Sequence, residues 1–173
     1  MAKEIESAGK ILVFGHLDMK EAPSGLTRVT LKQVLPKADE PYWSMRLDDG
    51  LFYCENMPQG SYMLDGFEGM SGIPLGIFYL GGQQYVYNIP TQAADFTRYR
   101  LQGAGLHYLG SIAFKRLASG AARFFGFESK FDIVQSDSPS ESELLQRLLE
   151  FTAGTKWQDQ VKARLGRPGA KKK

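Results

Sequence analysis

Hydrophobic and polar residues follow the two-residue period of β-strands along much of the first half of the chain. Residues 10–18 are almost continuously apolar and predict a strand that is buried on both faces. Residues 26–35 alternate more regularly and predict a strand with one exposed face. Its buried side is predicted to carry Val29, Leu31 and Leu35, and its exposed side Arg28, Thr30 and Lys32. A third strand is predicted over residues 42–47.

Two turn signals divide residues 48–67 into adjacent antiparallel strands. Asp49 and Gly50 are residue types that accept the positive φ of a tight hairpin turn. Farther on, Pro58 fixes its own φ, and Gly60 relieves the backbone before the next strand begins. The segment therefore predicts a hairpin followed by a second turn.

Glycine and proline interrupt the strand candidates that follow. Residues 68–76 hold three glycines and a proline, and we expect an irregular loop there, which is a usual location for a functional surface. Strands are predicted after it over residues 77–80, 84–89, 97–101, 106–114 and 122–134. Turn signals spaced by roughly 8 to 12 residues are typical of an all-β sandwich or barrel. The chain is thus predicted to be mainly β, with about 7–9 antiparallel strands.

The pattern changes to a helical one at Ser138. A helix start is predicted here, with Ser138 as N-cap and Pro139 at the first helical position. Glu141 would complete a capping box by accepting a hydrogen bond from the backbone N–H of the N-cap residue. The apolar stripe that follows consists of Leu144, Leu145, Leu148, Leu149 and Phe151. Gly154 is predicted to end this helix.

A second helix is predicted from Thr155 to Leu165, with Trp157 and Val161 on its apolar face together with Leu165. We expect both helices to pack on the sheet or on one end of it. The chain then divides into a flexible N-terminus over residues 1–9, a β-sandwich domain over 10–135, the helices over 138–165, and a basic disordered tail over 166–173.

Basic residues are concentrated at the carboxyl end. The 173 residues include 21 Lys and Arg and 19 Asp and Glu, but six of the basic residues follow the last acidic one, Asp159. Without those six, 15 basic residues remain against 19 acidic ones, a net charge of −4. This distribution indicates a solvated basic tail on a mildly acidic body, so we expect no nucleic-acid partner.

The chain offers few groups for chemistry. Cys54 is the single cysteine, which excludes an intrachain disulfide, and its position within a strand predicts a small core residue. His16 and His107 each lie in an apolar strand, with no carboxylate at the spacing of a metal or acid–base site. We therefore predict no catalytic residue, no metal and no cofactor. A hydrolase or metalloenzyme would require the two histidines to lie side by side with a carboxylate.

Aromatic residues are numerous, and some of them are candidates for an exposed binding platform. Tyr42, Trp43 and Met70 are the predicted binding residues, as an exposed apolar patch at the start of the third strand and in the loop over residues 68–76. Their ligand and the oligomeric state are not indicated by the sequence.

The hairpin segment resembles the signature of carboxypeptidase regulatory-like and Cna-B-type domains, which are also called transthyretin-like or prealbumin-like. The resemblance rests on Asp49-Gly50-Leu51-Phe52, followed by Met57-Pro58-Gln59-Gly60-Ser61-Tyr62, and on the first strand, residues 11–17. Residues 105–112 resemble a strand of uncharacterised bacterial envelope proteins and lipoproteins that carry such domains. The resemblance implies a Greek-key β-sandwich of seven or eight strands that is non-catalytic and commonly exported. It transfers no ligand residues, and the two C-terminal helices depart from the usual module.

The function expected on this basis is a non-catalytic binding or structural module of the bacterial cell envelope, in the periplasm or anchored by a lipid, with an envelope protein or a polysaccharide as partner. The sequence contains no export signal and no run of about 18 apolar residues. A signal removed beforehand would reconcile this with export, and a natural start at Met1 would indicate the cytoplasm. The alternative is a barrel-like pocket for an apolar small molecule or lipid, because glycines let a sheet curve.

Overall fold

The computed structural model describes residues 9–22, 25–75, 78–89, 95–116 and 131–166. This part of the chain contains nine strands, one 3₁₀ turn and two helices. The strands are β1 (Ile11–Asp18), β2 (Leu26–Leu35), β3 (Tyr42–Asp48), β4 (Leu51–Met57), β5 (Gly60–Leu75), β6 (Phe78–Asn88), β7 (Arg98–Leu101), β8 (Gly105–Arg116) and β9 (Phe131–Ser136). The 3₁₀ turn spans Asp95–Thr97, and the helices are α1 (Glu141–Phe151) and α2 (Trp157–Leu165). The prediction of a mainly β protein with two C-terminal helices is confirmed.

The strands form one continuous hydrogen-bonded path that curls into a half-barrel. Its order is β6-β5-β2-β3-β4-β1-β8-β9. β2 pairs with one edge of β5, and both β6 and β7 pair with the other edge. β7 pairs with the start of β5 and β6 with its later part, so the two strands follow one another along this edge. The expectation that all strands are antiparallel is wrong for one pair, since β1 and β8 run parallel. A parallel pair needs a long connection, and here nearly the whole sheet lies between the two strands in sequence.

The inner core fills the concave side of the half-barrel. It draws residues from almost every strand, among them Ile11 and Val13 of β1, Leu31 of β2, Phe52 of β4 and Phe67 of β5. Phe67 packs edge-on against Phe114 of β8, with ring centroids 5.0 Å apart. Strands that are distant along the path therefore meet across one core.

A second apolar cluster, here called the helix cluster, lies on the opposite face of β1. Because side chains alternate along a strand, Leu12 and Phe14 point away from the inner core, which explains why β1 is apolar at nearly every position. The two helices cover these residues with Leu144, Leu145, Leu148, Trp157 and Val161. The expectation that the helices pack on the sheet is thus confirmed.

Two bulges on either side of β1 keep apolar residues directed into the inner core. Ile11 and Val13 pair with Met57 and Cys54, so two residues of β4 lie opposite the single residue Leu12 of β1, and Asn56 takes a φ of 60° there. On the other side, the register of β8 shifts beside Gly110, whose φ is 95°. Without the extra residues, Met57 and Ile112 would point towards the helices instead of into the core where both are buried.

The predicted loop over residues 68–76 is wrong, because residues 60–75 form the single strand β5. Its later part pairs with β6, which continues through Gly81 and Gly82, where a break was also expected. Glycine disfavours a strand locally, but pairing with β6 through Leu75, and with β2 as far as Gly69, supplies the hydrogen bonds that stabilise this segment. By contrast, the turn at Asp49 and Gly50 has positive φ at both residues, as predicted.

The first helix begins two residues later than predicted. Its N-cap is Ser140, and Glu143 completes the capping box. Pro139, which was expected at the first helical position, lies before the helix, and its carbonyl accepts a hydrogen bond from Ser111 Oγ at 3.0 Å. The last predicted strand, residues 122–134, falls mostly outside the described residues, and β9 extends to Ser136. The predicted flexible N-terminus and basic tail also fall outside the described residues, apart from residue 9 and Gly166.

Candidate binding surface

The helices cover only part of the outer surface of the sheet. Both pack on β1, β4 and β8, and the described helices reach the outer side of β3, β2, β5 and β7 only at the end of β3, where Arg147 contacts Asp48. We call this outer side of the four strands the open face. Strand pairing determines which side chains share it, since partners in register project to the same side of a sheet.

One row of the open face combines an aromatic ring with positive charge. Lys32 of β2 pairs with Tyr42 of β3 and with Met63 of β5, and Met63 in turn pairs with Arg98 of β7. The Lys32 ammonium lies 5.4 Å from the centroid of the Tyr42 ring, which is a cation–π geometry. The Tyr42 side chain is 56% exposed. The row therefore presents a ring with a cation held beside it.

A second row places two arginines directly opposite each other on neighbouring strands. Arg28 of β2 pairs with Arg46 of β3, and its other neighbour is Glu68 of β5. Arg28 Nη1 donates to Ser44 Oγ at 3.4 Å, while Glu68 Oε1 accepts from the Thr30 hydroxyl. The two ion pairs found among the described residues, Arg147 with Asp48 and Arg164 with Glu141, do not include these two arginines.

Apolar side chains are exposed at the end of β2 next to the Tyr42 row. Val34 is 45% exposed and Leu35 is 58% exposed. Leu35 was predicted to be buried, but the register of β2 with β5 shifts between Gln33 and Leu35, and the strand ends there. On the β7 side, Arg100 is exposed and pairs with Ser61.

The structure does not gather the three predicted binding residues into one patch. Tyr42 is exposed on the open face, whereas Trp43 is partly buried and packs against the inner core. Met70 lies on β5, seven residues beyond the position that faces Lys32, at a distance of roughly 20 Å along the strand. Only Tyr42 thus belongs to the open face with its cations, and its role in binding stays a prediction.

The two histidines lie on opposite faces of the sheet. His16 follows Leu12 and Phe14 on the side of the helices, while His107 pairs with Val13, which faces the inner core. His107 Nε2 is 2.8 Å from the carbonyl oxygen of Gly103. The pair cannot share a ligand, and the described residues contain no group of three or more His, Cys, Asp or Glu side chains able to hold a metal ion.

His16 lies beside the contact between α1 and the β3–β4 turn. Arg147 of α1 donates to the carbonyls of Asp48 and Asp49, at 2.6 and 3.2 Å. Burial lowers the pKa of His16, and the Arg147 charge adds to this effect, while Asp18 and Asp49 act in the opposite direction. The neutral imidazole is therefore the favoured form, which suits a packing role between strand and helix.

Cys54 behaves as a core residue. It is partly buried against the inner core, and burial, followed by the nearby Glu55 charge, raises the pKa of its thiol to about 11. A thiol with this pKa is almost entirely protonated near neutral pH, so it is a poor nucleophile. The position thus matches the structural role predicted for it.

Comparisons of the chain with protein-family models, with curated proteins and with solved structures found no match. The resemblance to transthyretin-like domains therefore rests on the sequence motifs alone and stays a prediction. Among the described helices, none has the length and apolar character needed to cross a membrane.

The cations of the open face were not among the predicted binding residues, although the sequence holds a signal for part of them. The alternation of β2 assigns Arg28 and Lys32 to the exposed side, and the polar positions of β3 assign Arg46 likewise. Their proximity depends on the register between β2 and β3, which no short-range pattern specifies.

Proposed function

We propose that the chain is a non-catalytic binding or structural module of the bacterial cell envelope, built on a Greek-key sandwich of the transthyretin-like type. The observation that carries the proposal is the open face, where a sheet surface that the two described helices leave uncovered presents Tyr42 next to Lys32. Exposed aromatic rings on a rigid sheet are suited to contact a sugar ring or a peptide.

The strand order supports the Greek-key assignment. β2, β3 and β4 are consecutive neighbours, and β1, which precedes them in sequence, lies beside β4. This is the order of a Greek key, with three strands joined in sequence and a fourth connected from the far side. The first five residues of β3 pair with β2 and its last two with β4. A bend of the curled sheet at β3 would let its two halves pack as the layers of a sandwich around the inner core.

A hydrogen bond at the second turn gives further support. The Tyr62 hydroxyl donates to the carbonyl of Pro58 at 2.6 Å, within the segment that carries the family resemblance. A tyrosine that bonds back to the backbone a few residues upstream is typical of Greek-key sandwiches. The parallel pairing of β1 with β8 and the two helices would be particular to this chain.

The test is sedimentation of the purified chain with insoluble cell-wall fragments from bacteria. We expect the protein in the pellet, and we expect Tyr42→Ser to shift it towards the supernatant. Phe151→Ser is the matched control, because Phe151 is a partly exposed aromatic residue of α1 and lies away from the open face. A wild-type protein that stays in the supernatant, or an equal effect of both substitutions, would contradict the proposal.

A further inference from the structure

We propose that the open face binds a linear anionic polysaccharide, through its cations and the Tyr42 ring. This inference rests on the proposed function and adds the chemical class of the ligand. Four basic residues carry the argument: Arg28 and Lys32 of β2, Arg46 of β3 and Arg100 of β7. Glu68 is the carboxylate that lies in register among them, and it faces Arg28 from β5.

Without a bound ligand, the pairing of Arg28 with Arg46 destabilises the fold. Like charges directly across an antiparallel pair destabilise it, and Arg28 and Arg46 are such a pair. Neither forms an ion pair with a carboxylate of the described residues, and Asp48, on the same side of β3, is instead paired with Arg147 at 3.5 Å. An anion bound between the two guanidinium groups would remove this repulsion and accept their hydrogen bonds.

The spacing of the cations favours a polymer over a small anion. Arg28 and Lys32 are four residues apart on one strand, about 13 Å, and Arg100 lies two strands away from β2, about 10 Å. A single ion can contact only one or two of them, and exposed charge pairs are individually weak, about 0.2–1 kcal/mol. A linear polyanion that crosses the strands can contact several cations with one chain. Once the first contact forms, the other charged groups of the polymer are held at a high local concentration, so the weak contacts together give a higher affinity.

Neutral groups between the cations favour a sugar chain. The exposed Tyr42 ring has an apolar face that can pack on the C–H side of a sugar, and Lys32 beside it can pair with an acidic substituent. The Ser44 hydroxyl, between the rows of Arg28 and Lys32, adds a hydrogen-bonding group of the kind that sugar hydroxyls use.

Nucleic acid fits this face less well. Single strands are bound by several aromatic residues on which successive bases stack, and the described part of the open face exposes only Tyr42 as a large aromatic residue. A face four strands wide is also broader than the helix or two-stranded ribbon that the major groove admits.

Titration calorimetry with defined polymers tests the inference. The probes are polygalacturonate for carboxylate groups, dextran sulfate for sulfate groups, dextran as a neutral polysaccharide, and single-stranded oligothymidylate. We expect both anionic polysaccharides to bind, dextran to bind much more weakly, and added salt to weaken the binding. The double variant Arg28→Gln/Arg46→Gln should lose affinity by about fivefold or more.

A matched control removes the same charge elsewhere. Lys115→Gln/Lys162→Gln changes two exposed lysines on β8 and α2, and this variant should bind like the wild type. The melting temperature of Arg28→Gln/Arg46→Gln should not fall, because the substitution relieves a like-charge pair, so lost binding would not reflect unfolding.

Three results would overturn the inference. Tighter binding of oligothymidylate than of the polysaccharides would assign the face to nucleic acid, and equal binding of dextran would remove the role of the cations. Absence of binding to all four polymers would reject the ligand class. If cell-wall fragments still sediment the protein in any of these cases, the proposed binding module stands while its anionic ligand does not.

Discussion

Two buried tyrosine hydroxyls on neighbouring strands differ in whether they have a hydrogen-bond partner. Tyr62 and Tyr99 pair in register, and burial raises the pKa of both, to about 12 for Tyr62. The Tyr62 hydroxyl donates to Pro58, whereas the buried Tyr99 hydroxyl has no hydrogen-bond partner among the residues that the structure describes. A buried hydroxyl stabilises a fold only when it is bonded.

We therefore predict that Tyr62→Phe lowers the free energy of unfolding by about 1 kcal/mol, because the Pro58 carbonyl loses its donor. Tyr99→Phe should change it by less than about 0.5 kcal/mol, or raise it, because the hydroxyl removed has no partner. Urea unfolding of the two variants measures the difference. An equal loss in both would show that the bond to Pro58 makes no special contribution.

At the scale of elements, the start of α1 shows how two overlapping motifs compete. Ser138 with Glu141 and Ser140 with Glu143 both have capping-box spacing. In the structure, Ser140 N donates to Glu143 Oε2 at 2.7 Å, and Glu143 N donates to Ser140 Oγ at 3.4 Å. The hydrogen bond from Ser111 to the Pro139 carbonyl involves β8, so the choice between the motifs depends on a tertiary contact.

The two serines form a matched pair for mutation. Ser140→Ala should lower the free energy of unfolding by about 1 kcal/mol, since the cap is lost. Ser138→Ala should leave the free energy of unfolding within about 0.5 kcal/mol of the wild-type value. Ser138 is exposed, and only its backbone N–H and carbonyl, not its hydroxyl, form hydrogen bonds with Ser136 Oγ. Chemical denaturation compares them, and a larger effect at Ser138 would restore the cap predicted from the sequence.

Local patterns predicted the elements whose stabilising contacts are close in sequence. The apolar run of β1, the alternation of β2 apart from Leu35, the Asp49–Gly50 turn and the stripe of α1 apart from Phe151 were predicted correctly. The later part of β5 was not, because its glycines indicate a loop and the pairing with the distant strand β6 outweighs them. The parallel register of β1 with β8 has no local signal either.

The candidate site was predicted in part. Tyr42 was selected correctly as exposed, but grouping it with Trp43 overlooked the strand period of two, which sends neighbouring side chains to opposite faces. The pairing of Arg28 with Arg46 required the register between two strands, and this depends on the whole core rather than on either segment.

At the scale of the whole molecule, β1 joins the two apolar clusters. Its alternate residues enter the inner core and the helix cluster, and Leu12, Val13 and Phe14 are all completely buried. The helices therefore cover apolar surface of a strand that the inner core also needs. We infer that neither layer is stable alone, so the described fold should unfold as one cooperative unit.

The two tryptophans allow this to be measured, since Trp43 packs against the inner core and Trp157 is buried in the helix cluster. In a Trp157→Phe background, Trp43 is the sole tryptophan and reports on the inner core. Adding Leu148→Ala, a deletion in the helix cluster, should lower the stability that Trp43 reports by about 2–5 kcal/mol, although Leu148 belongs to the other layer.

In the Trp43→Phe background, Trp157 fluorescence should follow the same urea transition as far-ultraviolet circular dichroism. Release of the helices as a separate unit would instead appear as a Trp157 transition at lower urea, with the Trp43 midpoint unaffected by Leu148→Ala. Cooperativity through β1 requires both probes to respond, because exposing Leu12 and Phe14 removes the burial that fixes the strand between its two layers.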